Sequence, residues 1–248
     1  MKQLIAFDLD GTLAESKQPI GKPMAESLKA LLDVALVAVI SGGDWPQFET
    51  QVVERLPKQS ALERLFIMPT TGTKLYRFDR TWRPIFAEVF AEAERRKILA
   101  ELKAATASIE LNDEKIWGEQ IEDRGSQITF SGLGQNAPIA AKKAWDPEFT
   151  KRKALQAALQ KRLPDLSINV GGSTSIDITR KGIDKAHGMR KLSEHSGIAL
   201  DAMLFLGDAI YPGGNDFAVR AAGIDTVKVR DVDETLAVVT AIIACLEP

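Results

Sequence analysis

Asp8-Leu9-Asp10-Gly11-Thr12 follows directly on the apolar run Leu4-Ile5-Ala6-Phe7. The run reads as a buried strand, and the two carboxylates stand where it ends. Residues i and i+2 of a strand point to the same side, so Asp8 and Asp10 share one cleft while Leu9 turns into the core. Gly11 permits a tight turn or a close backbone approach, and Thr12 adds a hydroxyl. Two converging carboxylates repel unless a cation sits between them; with oxygen ligands alone, that cation is most simply Mg²⁺. Asp-Gly is also ordinary turn punctuation, so the pentapeptide needs further residues before it argues for chemistry.

Those residues stand at comparable places. Ser41-Gly42-Gly43 closes a second apolar run over 35–40, and Gly207-Asp208 closes another over 202–206. Pro212-Gly213-Gly214-Asn215-Asp216 comes shortly after, and Lys181 and Lys185 precede a helical stretch. Residues 3–8, 35–40, 65–68, 202–206 and 226–229 read as short buried strands, with residues 73–78 as a hairpin arm. Helical spacing covers 23–34, 185–196, 215–222 and 232–246. Another helix is predicted over 45–56, with Asp44 as its N-cap and Pro46 in its first turn. Such alternation predicts an α/β fold with a doubly wound parallel sheet, whose sites lie beyond the carboxyl ends of the strands. Asp8, Ser41 and Asp208 each stand at such an end.

The middle reads differently. Residues 85–107 have helical periodicity, 127–130 form a strand, and 147–163 another helix. Residues 167–170 and 175–179 alternate on either side of Gly171-Gly172-Ser173, which indicates antiparallel pairing. The expected organisation is a core of residues 1–80 and 185–248 interrupted by an inserted α+β cap domain, 81–184.

The 248 residues suffice for such an arrangement, and the 45% hydrophobic and 27% charged residues fit a folded chain. A net charge of −2 gives no reason to expect nucleic acid as a partner, and the short basic runs fall on solvated helix faces. No apolar stretch is long enough for a spanning helix, so no membrane partner is expected. Met1 lies close to a core strand, leaving no room for a signal peptide, and the single Cys245 reads as a buried filler; both suit the cytoplasm. His187 and His195 lack the clustered ligands of a zinc site. Trp45, Trp82, Trp117 and Trp145 read as packing residues. A homodimer stays open.

In order and over nearly the whole chain, these motifs resemble the haloacid dehalogenase (HAD) superfamily of phosphotransferases, in its class with the larger α+β cap. Gly171 to Asp177, Gly182-Ile183-Asp184-Lys185 and Gly207-Asp208 followed by Pro212 to Asp216 are similar to eukaryotic-type phosphomannomutase. The resemblance implies a Rossmann-like core, Mg²⁺ and a small phosphorylated metabolite as substrate. It implies that Asp8 attacks phosphorus and becomes an aspartyl-phosphate, splitting one displacement into two. Asp10 would protonate the leaving alcohol and then deprotonate the next nucleophile. Ser41, with Gly42 and Gly43, would bind the phosphoryl oxygens, and Lys185 would offset their charge. Lys181 competes for that role; Lys185 is favoured because it opens the helix. Asp8, Asp208 and the backbone carbonyl of Asp10 would ligate the metal, with Asn215 and Asp216 supporting them. Ser175 and Asp177 would bind sugar hydroxyls, though their alternation with Ile176 and Ile178 also fits the wet face of a strand.

Arg124 matches the first of the cap arginines with which phosphomannomutases hold a second phosphate. Where the family pattern next has two arginines, this chain has Gln135 and Lys142. Glutamine carries no charge and lysine lacks the two-pronged fork of arginine. Losing one charged phosphate contact costs about 1.5–3 kcal/mol. The sequence therefore favours a Mg²⁺-dependent phosphatase acting on a sugar phosphate, with phosphohexomutase activity as the alternative. A non-catalytic ligand-binding member of the fold is a third reading, disfavoured because Asp8, Asp10, Lys185 and Asp208 are all present.

Overall fold

The computed structural model describes residues 2–109, 115–171 and 173–246. Gly172, part of the turn motif above, lies outside them. The chain divides into two compact units, Met1–Ala87 with Asp184–Pro248, and Glu88–Ile183.

The first unit is built on a seven-stranded sheet of order β11-β10-β1-β2-β3-β4-β5. Its parallel strands are β1 (Leu4–Asp8), β2 (Leu36–Ile40), β3 (Leu65–Met68), β10 (Met203–Gly207) and β11 (Asp225–Lys228). β1, β2, β3 and β10 are short, apolar and buried, as parallel strands between helix layers must be, whereas β11 at the sheet edge exposes Asp225 and Lys228. Ile5, Phe7, Val37 and Val39 pack with Met24, Leu28 and Leu31 of α1 (Lys22–Val34) and Val239 of α8 (Val232–Leu246). Leu4, Ala6, Ala38 and Ile40 pack on the other face with Met189 and Leu192 of α6 (Lys185–Ser196) and Val219 of α7 (Phe217–Ala221).

Several elements differ from expectation. Residues 85–87 lie on β5 (Thr81–Ala87), which pairs antiparallel with β4 (Lys74–Asp79). Residues 81–87 and Asp184, expected in the insert, thus belong to the core unit. Pro84 is tolerated because β5 is an edge strand. The helix expected from residue 85 is α3 (Glu92–Ser108), in the second unit. α2 (Trp45–Gln51) is shorter than expected and passes into a 3₁₀ turn at Val53–Arg55; Asp44 stands at its N-cap and accepts from the N–H of Trp45, the first helical residue, at 2.8 Å. Cys245 is exposed, not buried.

The second unit has an antiparallel sheet of order β6-β7-β9-β8, formed by β6 (Ile121–Asp123), β7 (Gln127–Ser131), β8 (Leu166–Val170) and β9 (Ser175–Arg180). Ile128, Phe130, Ile176 and Ile178 face a cluster with Ile98 and Leu102 of α3 and Leu155 and Leu159 of α5 (Thr150–Arg162). The helix expected over 147–163 is α5, which starts only at Thr150 because Phe149 adopts a left-handed φ of 62°; a separate helix, α4 (Ile139–Trp145), precedes it. Asp146 sits between the two and accepts from the N–H groups of Lys151 and Arg152, both at 3.0 Å. No helix among the described residues is long and apolar enough to cross a membrane.

Candidate active site

Asp8 is the last residue of β1 and is 4% exposed. Lys185, the first residue of α6, is fully buried, and its Nζ stands 2.6 Å from Asp8 Oδ1 and 2.5 Å from Asp216 Oδ1. Lys181, the rival lysine, is exposed. Asp216 is completely buried at the start of α7, where its Oδ2 accepts from the Ala209 N–H at 3.1 Å. The chain reaches it by turning through Gly213, whose φ is +92°. Gly207 allows the return: a Cβ there would fall 2.3 Å from Asp216 Oδ2.

Asp8, Asp208 and Asp216 each offer a carboxylate oxygen, and the three oxygens lie within 4.8 Å of one another. Gly11 makes room, since its Cβ would stand 2.5 Å from Asp208 Oδ2. Asp8 and Asp208, both expected as ligands, are in this carboxylate trio; Asp10 is expected to contribute only its backbone carbonyl. Asp216, read as a supporting residue, joins it directly. The Asp10 carboxylate is engaged elsewhere, accepting from the Lys17 N–H at 2.6 Å and from Gln47 Nε2 at 3.3 Å; only its backbone carbonyl is left for a ligand role. Asn215 is exposed.

The electrostatics follow from burial. Desolvation pushes the Asp8 carboxyl up to about 6; Lys185 opposes this and Asp216 adds to it. Burial likewise raises Asp208, helped by Asp216 and countered by Lys185. For Lys185, burial favours the neutral amine, but Asp8 and Asp216 outweigh it and hold the ammonium above its ordinary value. Three carboxylates against one ammonium carry a formal charge of −2 when ionised. A divalent cation would cancel it, and an all-oxygen donor set suits Mg²⁺.

Ser41, at the end of β2, is buried, and its backbone joins two neighbouring turns: Ser41 N–H donates to Met68 O at 3.3 Å, and Thr71 N–H to Ser41 O at 2.9 Å. Gly43 O accepts from the Thr70 N–H at 2.8 Å. Gly43 also leaves space for Gln47, whose Oε1 would lie 1.9 Å from a Cβ. Gly42 is half-buried between them.

Sequence reasoning passed over Gln47, although a glutamine one turn into the helix after Ser41-Gly42-Gly43 was a usable signal. The turn through Thr70 and Thr71 was missed too. Both are non-glycine residues with positive φ, 51° and 60°, a conformation that side chains disfavour.

Arg124, Ser175 and Asp177 all lie in the second unit. Arg124 Nη2 pairs with Glu122 Oε2 at 2.6 Å. Ser175 lies opposite Ser131, and Asp177 opposite Thr129, whose hydroxyl donates to Asp177 Oδ1 at 2.7 Å. Burial raises the Asp177 carboxyl, against the pull of Thr129 and Arg124. Lys142 Nζ donates to the Gln135 carbonyl at 2.8 Å.

The family model for eukaryotic phosphomannomutase matches residues 24–245. The phosphomannomutase of Saccharomyces cerevisiae is 24% identical over 247 residues, covering 96% of this chain and 92% of that protein. That of Encephalitozoon cuniculi is 25% identical over 242 residues, covering 94% and 91%. Among solved structures, a haloacid dehalogenase-like hydrolase from Bacteroides thetaiotaomicron superposes with a TM-score of 0.68 at 15% identity, covering 98% of this chain and all (100%) of that one. An N-terminally truncated IMP-nucleotidase of Plasmodium falciparum gives 0.74 at 16% identity, covering 99% and 71%. At these identities the structural likeness speaks to the fold.

Proposed function

The chain belongs to the eukaryotic phosphomannomutase family, with a HAD-like fold, and from that premise we propose that it transfers phosphoryl groups on a hexose phosphate through an aspartyl-phosphate on Asp8. The observation that carries this reading is Lys185, buried between Asp8 and Asp216 beside Asp208. An Asp8 oxygen attacks phosphorus while the ester P–O bond breaks on the opposite side. Asp10, two residues on and held by Gln47 and the Lys17 N–H, gives its proton to the departing sugar oxygen. In the return step Asp10 takes the proton of the incoming hydroxyl, whose oxygen attacks phosphorus and releases Asp8. Before the attack Asp8 and Asp216 hold Lys185 as the ammonium, which lowers the cost of bringing an anionic ester to Asp8. Ser41 with Gly42 and Gly43 forms the turn proposed to bind the phosphoryl oxygens. Asp8 and Asp208, with Asp216 beside them, are the residues that would hold Mg²⁺, which when bound supplies positive charge to the transferring group.

The names of the relatives favour return of the phosphoryl group to a sugar hydroxyl, as in a phosphohexomutase, over the hydrolysis that the sequence alone suggested. Hydrolysis remains a second reading, supported by the uncharged Gln135 and by the pairing of Arg124 with Glu122. Following mannose 1-phosphate by ³¹P NMR with Mg²⁺ and a hexose bisphosphate separates the two. Conversion to the 6-phosphate is the expected result; release of inorganic phosphate alone moves the assignment to hydrolase. Turnover that survives Asp8→Asn would remove the mechanism.

A further inference from the structure

Thr70 and Thr71, which follow β3 after Pro69, hold φ values of 51° and 60°, and Gly72 continues the turn at 83°. Glycine and asparagine take up this left-handed conformation readily; a β-branched residue is poorly suited to it, and two in succession store strain. At Thr70 local bonding offsets the strain. The residue is fully buried, its hydroxyl lies 2.6 Å from that of Thr73, and the Thr73 hydroxyl donates to the Thr70 carbonyl at 2.8 Å. Nothing comparable acts at Thr71. It is half-buried, and its hydroxyl bonds to no other described residue.

The Thr71 backbone is nevertheless fixed on two sides. Its N–H donates to the Ser41 carbonyl at 2.9 Å, and its own carbonyl stands 3.1 Å from a Cβ built on Gly188, one turn beyond Lys185 in α6. The hydroxyl is left facing Gly42. A Cβ built on Gly42 would have Thr71 Oγ1 at 4.0 Å and, its chain neighbours apart, no other described heavy atom within that distance. The space beside Gly43 is filled by Gln47, whereas the space beside Gly42 is open and bordered by a hydroxyl.

A hydroxyl across an open glycine position, at the carboxyl end of a buried strand, suits a small oxyanion to which it can donate. Ser41-Gly42-Gly43 is the turn proposed to bind the phosphoryl oxygens. On that reading of the turn, we infer that Thr71 is a further phosphoryl-binding residue, held in a disfavoured conformation so that its hydroxyl donates to an oxygen seated over Gly42. Strain that no local bond offsets is then the cost of placing this donor.

The test is binding of orthovanadate to the full chain with Mg²⁺, followed by isothermal titration calorimetry, beside urea denaturation of the same variants. Thr71→Val keeps the branched shape and the strain but loses the donor. It should weaken vanadate binding by about tenfold or more and leave the urea midpoint unchanged. Thr71→Gly removes the donor and the strain together, so binding should fall as far while the midpoint holds or rises. A merely structural residue would lose both. Thr71→Ser, which keeps the hydroxyl, should bind close to the unchanged chain. Vanadate binding in Thr71→Val as tight as in the unchanged chain, binding in Thr71→Ser as weak as in Thr71→Val, or a midpoint that falls with the binding in Thr71→Gly would each overturn the role of Thr71 alone. No vanadate binding by the unchanged chain up to millimolar concentration would overturn it together with the phosphoryl reading of the Ser41 turn.

Discussion

Gly188 of α6 lies directly against Gly72: a Cβ built on Gly72 would stand 2.4 Å from Gly188 Cα, and one on Gly188 would stand 2.4 Å from Ile40 Cδ1. Gly188 is one turn beyond Lys185, so this contact sets how far the ammonium reaches toward Asp8. Gly188→Ala forces the helix outward or the β2 end aside. Overpacking of this kind costs about 1–3 kcal/mol. The urea midpoint should fall accordingly, and phosphoester turnover should fall with it, since Lys185 moves with its helix. An unchanged midpoint would show that α6 is not held at this contact.

Lys185 itself is the larger liability. Removing one partner from a buried ionic cluster leaves charge without compensation, at a cost of about 3–5 kcal/mol. Lys185→Met leaves Asp8 and Asp216 facing each other in the core. Chemical denaturation in EDTA should register a loss of that order; a loss below about 1 kcal/mol would mean that water reaches these carboxylates in solution.

Mg²⁺ is expected to raise the melting temperature. An ion that binds only the folded chain adds about 2.7 kcal/mol at a hundredfold excess over its dissociation constant, or about 5–10 °C for a chain of this size. EDTA should reverse the shift and Asp208→Asn should remove most of it. An equal shift in Asp208→Asn would place the ion elsewhere.

The ends of β1, β2 and β10 were legible because a parallel strand buried on both faces must be apolar until it leaves the sheet, and the first polar residue then marks the site. Asp8, Ser41 and Asp208 stand there for that reason. The contact of Asp216 with Lys185 was not legible, because it depends on the turn through Gly213 and on the missing Cβ of Gly207. Periodicity also misjudged residues 85–87. Phe86 is partly buried and its ring lies 4.9 Å from that of His195, a tertiary contact that overrides the helical spacing around it. Trp45 and Trp82 pack as expected, with Trp45 stacked on Tyr76 at 4.4 Å.

Acid stability should depend on Asp146. Burial alone would raise this carboxyl, but bonds from Arg152 and Lys151 outweigh it and hold it below its ordinary value of 3.8. A depressed carboxyl contributes stability that is fully present above the unfolded value and is lost as pH falls through the folded one. Unfolding free energy should therefore drop as pH falls below about 4, and Asp146→Asn should flatten that slope while lowering stability at pH 7. A slope as steep in the variant would assign the acid sensitivity to other carboxylates.

Thr12 presents the opposite case. Its hydroxyl is completely buried and has no hydrogen-bond partner among the described residues. Burying an unsatisfied hydroxyl costs about 1–3 kcal/mol, and valine has the same branched shape without that group. Thr12→Val should leave the urea midpoint unchanged or raise it, whereas Thr12→Ala, which leaves a void, should lower the unfolding free energy by about 1 kcal/mol. If Thr12→Val is instead as costly as Thr12→Ala, the hydroxyl is bonded in solution, and the turn after Asp10 is then held by a side-chain hydrogen bond as well as by the Gly11 N–H to Ala14 carbonyl bond at 2.7 Å.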